Sequence, residues 1–215
     1  MNCFRYKLDH DYGFAPNPFH GTLTLATCKA QIRSNPHLNI GDWVVGLGSQ
    51  RLGCLGHLIY AMKVTHKMTF DQYWEDARFL CKRPNLTGSL VQMYGDNVYH
   101  TDPQSGRVIQ ENCAHSKEGG IPNDGHLRSD SSGKNVLLSD HFYYLGDHHV
   151  PIPDQFDYIY RNVLRNYTFL DLQNRQEDLN AFINWIETTF PMGISGDPIN
   201  WSLEHQLGEM PIYEE

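Results

Sequence analysis

A chain of 215 residues is long enough to bury one substantial core, and a composition 40% hydrophobic and 12% aromatic excludes wholesale disorder. The formal net charge of −8 argues against a protein that coats nucleic acid through bulk positive charge. No apolar run reaches the roughly 18 residues of a membrane helix, so no membrane partner is expected. The N-terminal MNCFRYK lacks a signal peptide's apolar segment, which points to the cytoplasm.

Five cysteines (Cys3, Cys28, Cys54, Cys81 and Cys113) are widely spaced, odd in number and without a CxxC pair. Neither a disulfide framework nor a zinc knuckle follows from them, and no cofactor or metal is expected. Charge is unevenly spread. Residues 29–83 carry eight basic against four acidic side chains, whereas 135–215 carry three against thirteen. That pattern suits a basic face and an acidic C-terminal appendage.

In chain order, Phe4, Tyr6 and Leu8 alternate with Arg5 and Lys7, an edge or first strand. Gly13–Gly21 holds two prolines and is a rigid aromatic loop, either a ligand wall or a plug over the core. Leu23–Ser34 predicts a short helix starting near Thr24 or Thr27. Trp43, Val45 and Leu47 alternate in one strand. Leu58, Tyr60, Met62 and Val64 alternate in a second, with Ile59 and Ala61 opposite, so that strand is central. Gly46, Gly48, Gly53 and Gly56 bend the connection.

Met68–Ala77 predicts a helix capped by Thr69, and Ser89–Tyr99 a short helix leading into a strand. Residues 100–134 have little periodicity and read as one long loop, functional or disordered. Asn135–Leu145 has the composition of a buried strand. Gln155–Leu164 predicts a helix, and Asp178–Thr189 an amphipathic one with Leu179, Phe182, Ile183 and Ile186 on its face. Residues 193–215 read as an acidic, irregular tail.

Two resemblances rest on these pieces. Gly41, Asp42, Trp43, Ser49, Tyr60, Met62, Val64, Thr65, Phe70 and Asp71 follow the order seen in PUA-like barrels of the EVE, YTH and ASCH type. A longer match, over roughly residues 5–153, lies in GFAPNPFHGTLTLATCKAQIR, GDWVVGLGS, LIYAMKVT, FDQYW, LVQMYGDNVYH and VLLSDHFYYLG. These segments resemble the nucleotide modification associated domain family, second of its numbered set, which is linked with DNA-base modification systems, including those of phages. The resemblances imply an α+β fold, a PUA-like curved antiparallel sheet or barrel with flanking helices, spanning residues 1–153. Residues 154–215 then form an acidic, mainly helical extension packed on it.

Three functions are open to such a chain. The first is recognition of a modified base or nucleotide, in DNA or free, within a modification or phage-defence system. Stacking needs aromatic rings, supplied by Phe14, Phe19, Trp43, Tyr60, Tyr73, Trp74 and Tyr94. Asn17, Ser49 and Asn97 are candidate readers of the base edge, and Lys29, Arg33, Arg51 and Lys63 candidate phosphate ligands. A second function is an enzyme acting on a nucleobase or nucleotide. Residues 100–141 concentrate His100, Asp102, His115, Ser116, Asp124, His126, Asp130, Asp140 and His141, and Cys28 is a separate candidate nucleophile. The spacings match no deaminase, HExxH, P-loop or Rossmann signature. The third is a protein-interaction factor whose partner docks on the acidic C-terminus.

Overall fold

Strand β4 (His57–Lys63) is the spine of the molecule. It pairs antiparallel with β3 (Trp43–Leu47), β9 (His141–Tyr144) and the two-residue β10 (Val150–Pro151). This computed structural model describes residues 1–163, 167–170 and 176–202. Around β4 runs a seven-stranded sheet in the order β11-β1-β3-β4-β9-β12, with β1 at Cys3–Lys7, β11 at Thr168–Leu170 and β12 at Gly193–Ile194.

The sheet is mixed, because β1 pairs parallel to β3 and β12 parallel to β9. The expected α+β fold with an antiparallel sheet or barrel is met in its coarser part: most pairings of the large sheet are antiparallel, no barrel closes among the described residues, and two small sheets lie beside it. One of these is β2-β8-β5 (Leu23–Leu25, Val136–Ser139, His66–Met68). The other is the hairpin of β6 (Tyr99–Thr101) and β7 (Val108–Gln110).

The large sheet separates two apolar layers. Trp43, Val45 and Leu47 point toward α5 (Gln176–Thr189), where Leu179, Phe182, Ile183 and Ile186 meet them. Phe4, Tyr6, Val44, Tyr60, Met62 and Tyr144 point the other way, toward Leu23, Leu25, Ile32 and Leu137. The alternation expected of β4 holds only in part. Gly46 pairs with Tyr60 and Leu47 with Leu58, so Ile59 is bulged out of register and joins the same layer as Tyr60. Gly46 is required at that point, since a Cβ there would collide with the Tyr60 ring. β1 is interior rather than an edge. Arg5 is buried, and its guanidinium donates to the carbonyls of Tyr158 and Ile159.

Other expectations change in detail. Leu23–Ser34 divides into β2 and a single helical turn, α1 (Ala30–Arg33), because Leu23–Leu25 is claimed by β8. The Thr69 cap is present as a full capping box on α2 (Phe70–Glu75), and α3 is Leu90–Met93. Residues 100–134 are not one loop. They contain the β6–β7 hairpin and the helix α4 (Asp124–Ser131), capped by Asn123. Residues 154–159 form a 3-10 helix, and Leu164, which the sequence placed at its end, lies outside the described residues. Likewise only residues 193–202 of the expected acidic tail are described. That part docks: Asn200 and Trp201 hydrogen-bond to Asp11 and Tyr12.

Candidate functional site

Between β2 and α1 the chain makes a tight turn in which two consecutive residues, Cys28 (φ 54°) and Lys29 (φ 42°), are left-handed. Neither is glycine, so each conformation is costly and must be held by its surroundings. Asp130, on the last turn of α4, does the holding. Its Oδ1 accepts the Cys28 amide at 2.7 Å. Arg33 completes the frame. Fully buried, it donates from Nε to the Cys28 carbonyl (2.7 Å), from Nη1 to Asn135 (3.0 Å) and from Nη2 to the Asp130 carbonyl (2.6 Å).

Into this frame comes His115. Its Nδ1 lies 3.0 Å from Asp130 Oδ2 and its Nε2 lies 3.8 Å from Cys28 Sγ. Tyr99 donates to the same Oδ2 at 2.9 Å. The imidazole is enclosed by Phe14, edge-on at 4.8 Å, and by His126, stacked at 4.0 Å. His126 and Asp130 are four apart on α4 and so share the helix face that meets the ring.

Charge follows from this geometry. Burial opposes a cationic His115, but the facing Cys28 sulfur and the Asp130 carboxylate outweigh it and push the ring up to about 10. Burial also opposes the Asp130 charge. Hydrogen bonding and charge from His115, with Arg33 and Tyr99 behind, win and hold that carboxyl below its ordinary value. A buried acid that keeps its proton off and a ring that keeps its proton on form a stable pair aimed at one sulfur.

Cysteine, histidine and aspartate in line are the parts of a thiol nucleophile, its proton acceptor and the group that orients the acceptor. The three donor atoms also lie within 4.8 Å of one another, close enough to hold a metal ion. The donor set fits that poorly. Both Asp130 oxygens already accept N–H or O–H donors, which leaves Cys28 Sγ and His115 Nε2 as the available ligands.

Cys28 faces a cavity of about 140 Å³ whose walls include Tyr6, Asp9, His10, Tyr12 and Lys29. Lys29 places its Nζ 4.4 Å from the Tyr6 ring centre and is also part of a second, polar recess shared with Gln31 and Ser129.

The other residues singled out from sequence fall elsewhere. Trp43 and Tyr60 are core residues, and Tyr60 is hydrogen-bonded to Tyr6 at 2.8 Å. Ser49 is buried and accepts the Leu52 amide, and Asn97 donates to the carbonyls of Tyr73 and Phe79. Asn17 is buried against Lys82, whose ammonium donates to its Oδ1 at 2.7 Å. Burial pulls Lys82 down to about 8, against the opposing pull of Asp96. Arg33 is spent on carbonyl oxygens. His100 bonds Glu111 at 2.7 Å and stacks on Trp74, and Asp102 closes the hairpin through Ser105. Phe19 and Tyr94 pack against Trp201.

Cys28, His115 and Asp130 were each legible as reactive types, but no spacing joins positions 28, 115 and 130. A usable hint was the Asn-Asp-Gly start at 123–125, an N-cap that would have set His126 and Asp130 on one helix face.

Among the described residues no helix is long and apolar enough to cross a membrane. No curated protein and no solved structure matches the chain. A family model does match, over residues 1–205, well past position 153 and into the segment that carries α5. The chain belongs to the nucleotide modification associated domain 2 family.

Proposed function

We propose that this protein is an enzyme of a nucleotide-modification system and that Cys28 is its nucleophile. One observation carries the reading: the Cys28–His115–Asp130 line at the wall of a cavity. With its proton on His115, the sulfur attacks an electrophilic carbon of the substrate. The S–C bond forms as the bond to the leaving group breaks, and Nε2–H gives its proton to that group. Water then gives a proton to Nε2 and its oxygen bonds to the same carbon. The C–S bond breaks and the thiolate and imidazolium are restored. Asp130 fixes the ring through Nδ1 and supports its charge throughout.

The family name supports a nucleotide or a base in DNA as the substrate, and the modified base is the part that the cavity would receive. Recognition without chemistry is the second reading, favoured by the aromatic wall formed by Tyr6 and Tyr12. The test is incubation with free nucleotides and with single- and double-stranded oligonucleotides carrying modified bases, followed by nucleoside mass spectrometry. Turnover abolished by Cys28→Ser and His115→Asn supports the enzyme. Selective binding with every nucleoside mass unchanged leaves the reader.

A further inference from the structure

The wall of the cavity belongs to something larger. Four consecutive ring pairs lie near-parallel: His10–Tyr12 (5.8 Å, 13°), Tyr12–Tyr94 (5.4 Å, 11°), Tyr94–Trp201 (6.4 Å, 28°) and Trp201–Phe19 (5.3 Å, 11°). All four spacings fall within the range of offset stacking. Phe19 and Tyr94 sit in the interior, whereas His10 and Tyr12 line the cavity beside Cys28. Trp201 is tied down from its indole N–H to the Tyr12 carbonyl at 3.0 Å, so the run is fastened at both backbone and ring. Rings fixed in this way lose little freedom when another ring is laid against them.

Lys29 lines both this cavity and a second, polar recess. A flat aromatic wall and one cation shared by two recesses suit a ligand with a planar ring at one end and an anion at the other. At about 140 Å³ the aromatic part is small, below the range for drug-sized ligands, and takes one ring system rather than two.

We propose that this double recess binds one nucleotide unit, its base packed against the His10 and Tyr12 rings that line the cavity and its phosphate on Lys29, with the base edge presented to Cys28. The assignment rests on the proposed function for its chemistry but not for its geometry. A single phosphate contact also agrees with the chain's net charge of −8, which disfavours a long polyanion track. The unit can come from a free nucleotide or from a base turned out of a strand; the ring and phosphate are common to both.

The test is calorimetric titration of the Cys28→Ser protein, which cannot form a covalent adduct, with deoxynucleoside monophosphates, with the matching nucleosides and with a short single-stranded oligonucleotide. His10→Ala and Lys29→Met in the same background follow. The expected result is binding that weakens tenfold or more in either variant. In Lys29→Met, monophosphate and nucleoside should become equal. Binding of the monophosphates assigns a free nucleotide, and binding of the oligonucleotide alone assigns a strand base. Binding of no ligand, or binding indifferent to both variants, overturns the proposal. Failure of the proposed function looks different: Cys28 is then no more reactive than Cys81, while the titration still gives binding.

Discussion

Asp130→Asn is the most informative single change, because Asp130 joins three elements through one carboxylate. It accepts the Cys28 amide at 2.7 Å, the Tyr99 hydroxyl at 2.9 Å and His115 Nδ1 at 3.0 Å. Asparagine is nearly the same shape but keeps one acceptor oxygen, so its NH2 must face a donor. If it faces Cys28, two N–H groups oppose each other. If it faces His115, the ring must accept at Nδ1 and carry its proton on Nε2, so it can no longer take one from the thiol.

The magnitude follows from the ring. Raising His115 from 6.5 to about 10 corresponds to on the order of 5 kcal/mol in favour of the imidazolium. The Cys28 sulfur is the larger support and stays; removing the carboxylate takes away the hydrogen bond and charge of Asp130 while leaving the burial that opposes the cation. The His115 titration should therefore move down, and global stability should fall by about 3 kcal/mol. The assay is pH titration of the imidazole nitrogens by NMR, with urea unfolding alongside. A His115 ring still protonated at about pH 9 in the variant would refute the role given to Asp130.

Three further outcomes follow from the same reasoning. Asp11 is buried and accepts from Tyr144, and burial raises its carboxyl to about 6. The folded state thus holds that proton more tightly than the unfolded chain, and stability should fall by on the order of 3 kcal/mol as pH rises from about 4 to about 6. In Asp11→Asn that part of the pH dependence should vanish, as read by urea midpoints across this range; an identical slope would contradict the assignment. Gly133→Ala would place a Cβ 2.5 Å from the Arg33 guanidinium carbon, displacing it from its carbonyls. A loss of at least about 2 kcal/mol is expected in thermal unfolding, and a neutral change would show the frame to be looser than described. Phe182→Ala on α5 should cost about 3–5 kcal/mol, since that ring is fully buried against Phe156 and the sheet. Little loss in a urea melt would mean that α5 is peripheral to the core.

What could be read from the sequence divides along physical lines. The Asp178–Thr189 stripe was legible because burial of one helix face is a local pattern, and the Thr69 cap because its partner Gln72 is three residues away. The parallel β1–β3 pairing was not, since register between distant strands leaves no trace in either alone. The bulge at Ile59 was hidden for a related reason: strict alternation fits the residues well until the Gly46–Tyr60 contact forces the strand to slip. At the site, reactive residues stood out by type, but their meeting depends on helix α4 folding inside a segment rich in glycine, serine and asparagine. Arg33 read as a candidate phosphate ligand and Lys82 as one more charge of the basic stretch, and only the tertiary structure supplies the carbonyls and side-chain oxygens that bury them.

The central claim is that Cys28 is an activated nucleophile, and limited alkylation tests it most directly. A substoichiometric pulse of iodoacetamide at about pH 6.5, followed by peptide mass mapping, ranks the five cysteines by reactivity. Cys28 should be labelled well ahead of the more exposed Cys81, and His115→Asn should remove that lead without unfolding the protein. Labelling of Cys28 no faster than Cys81, or a lead that survives His115→Asn, would contradict the account.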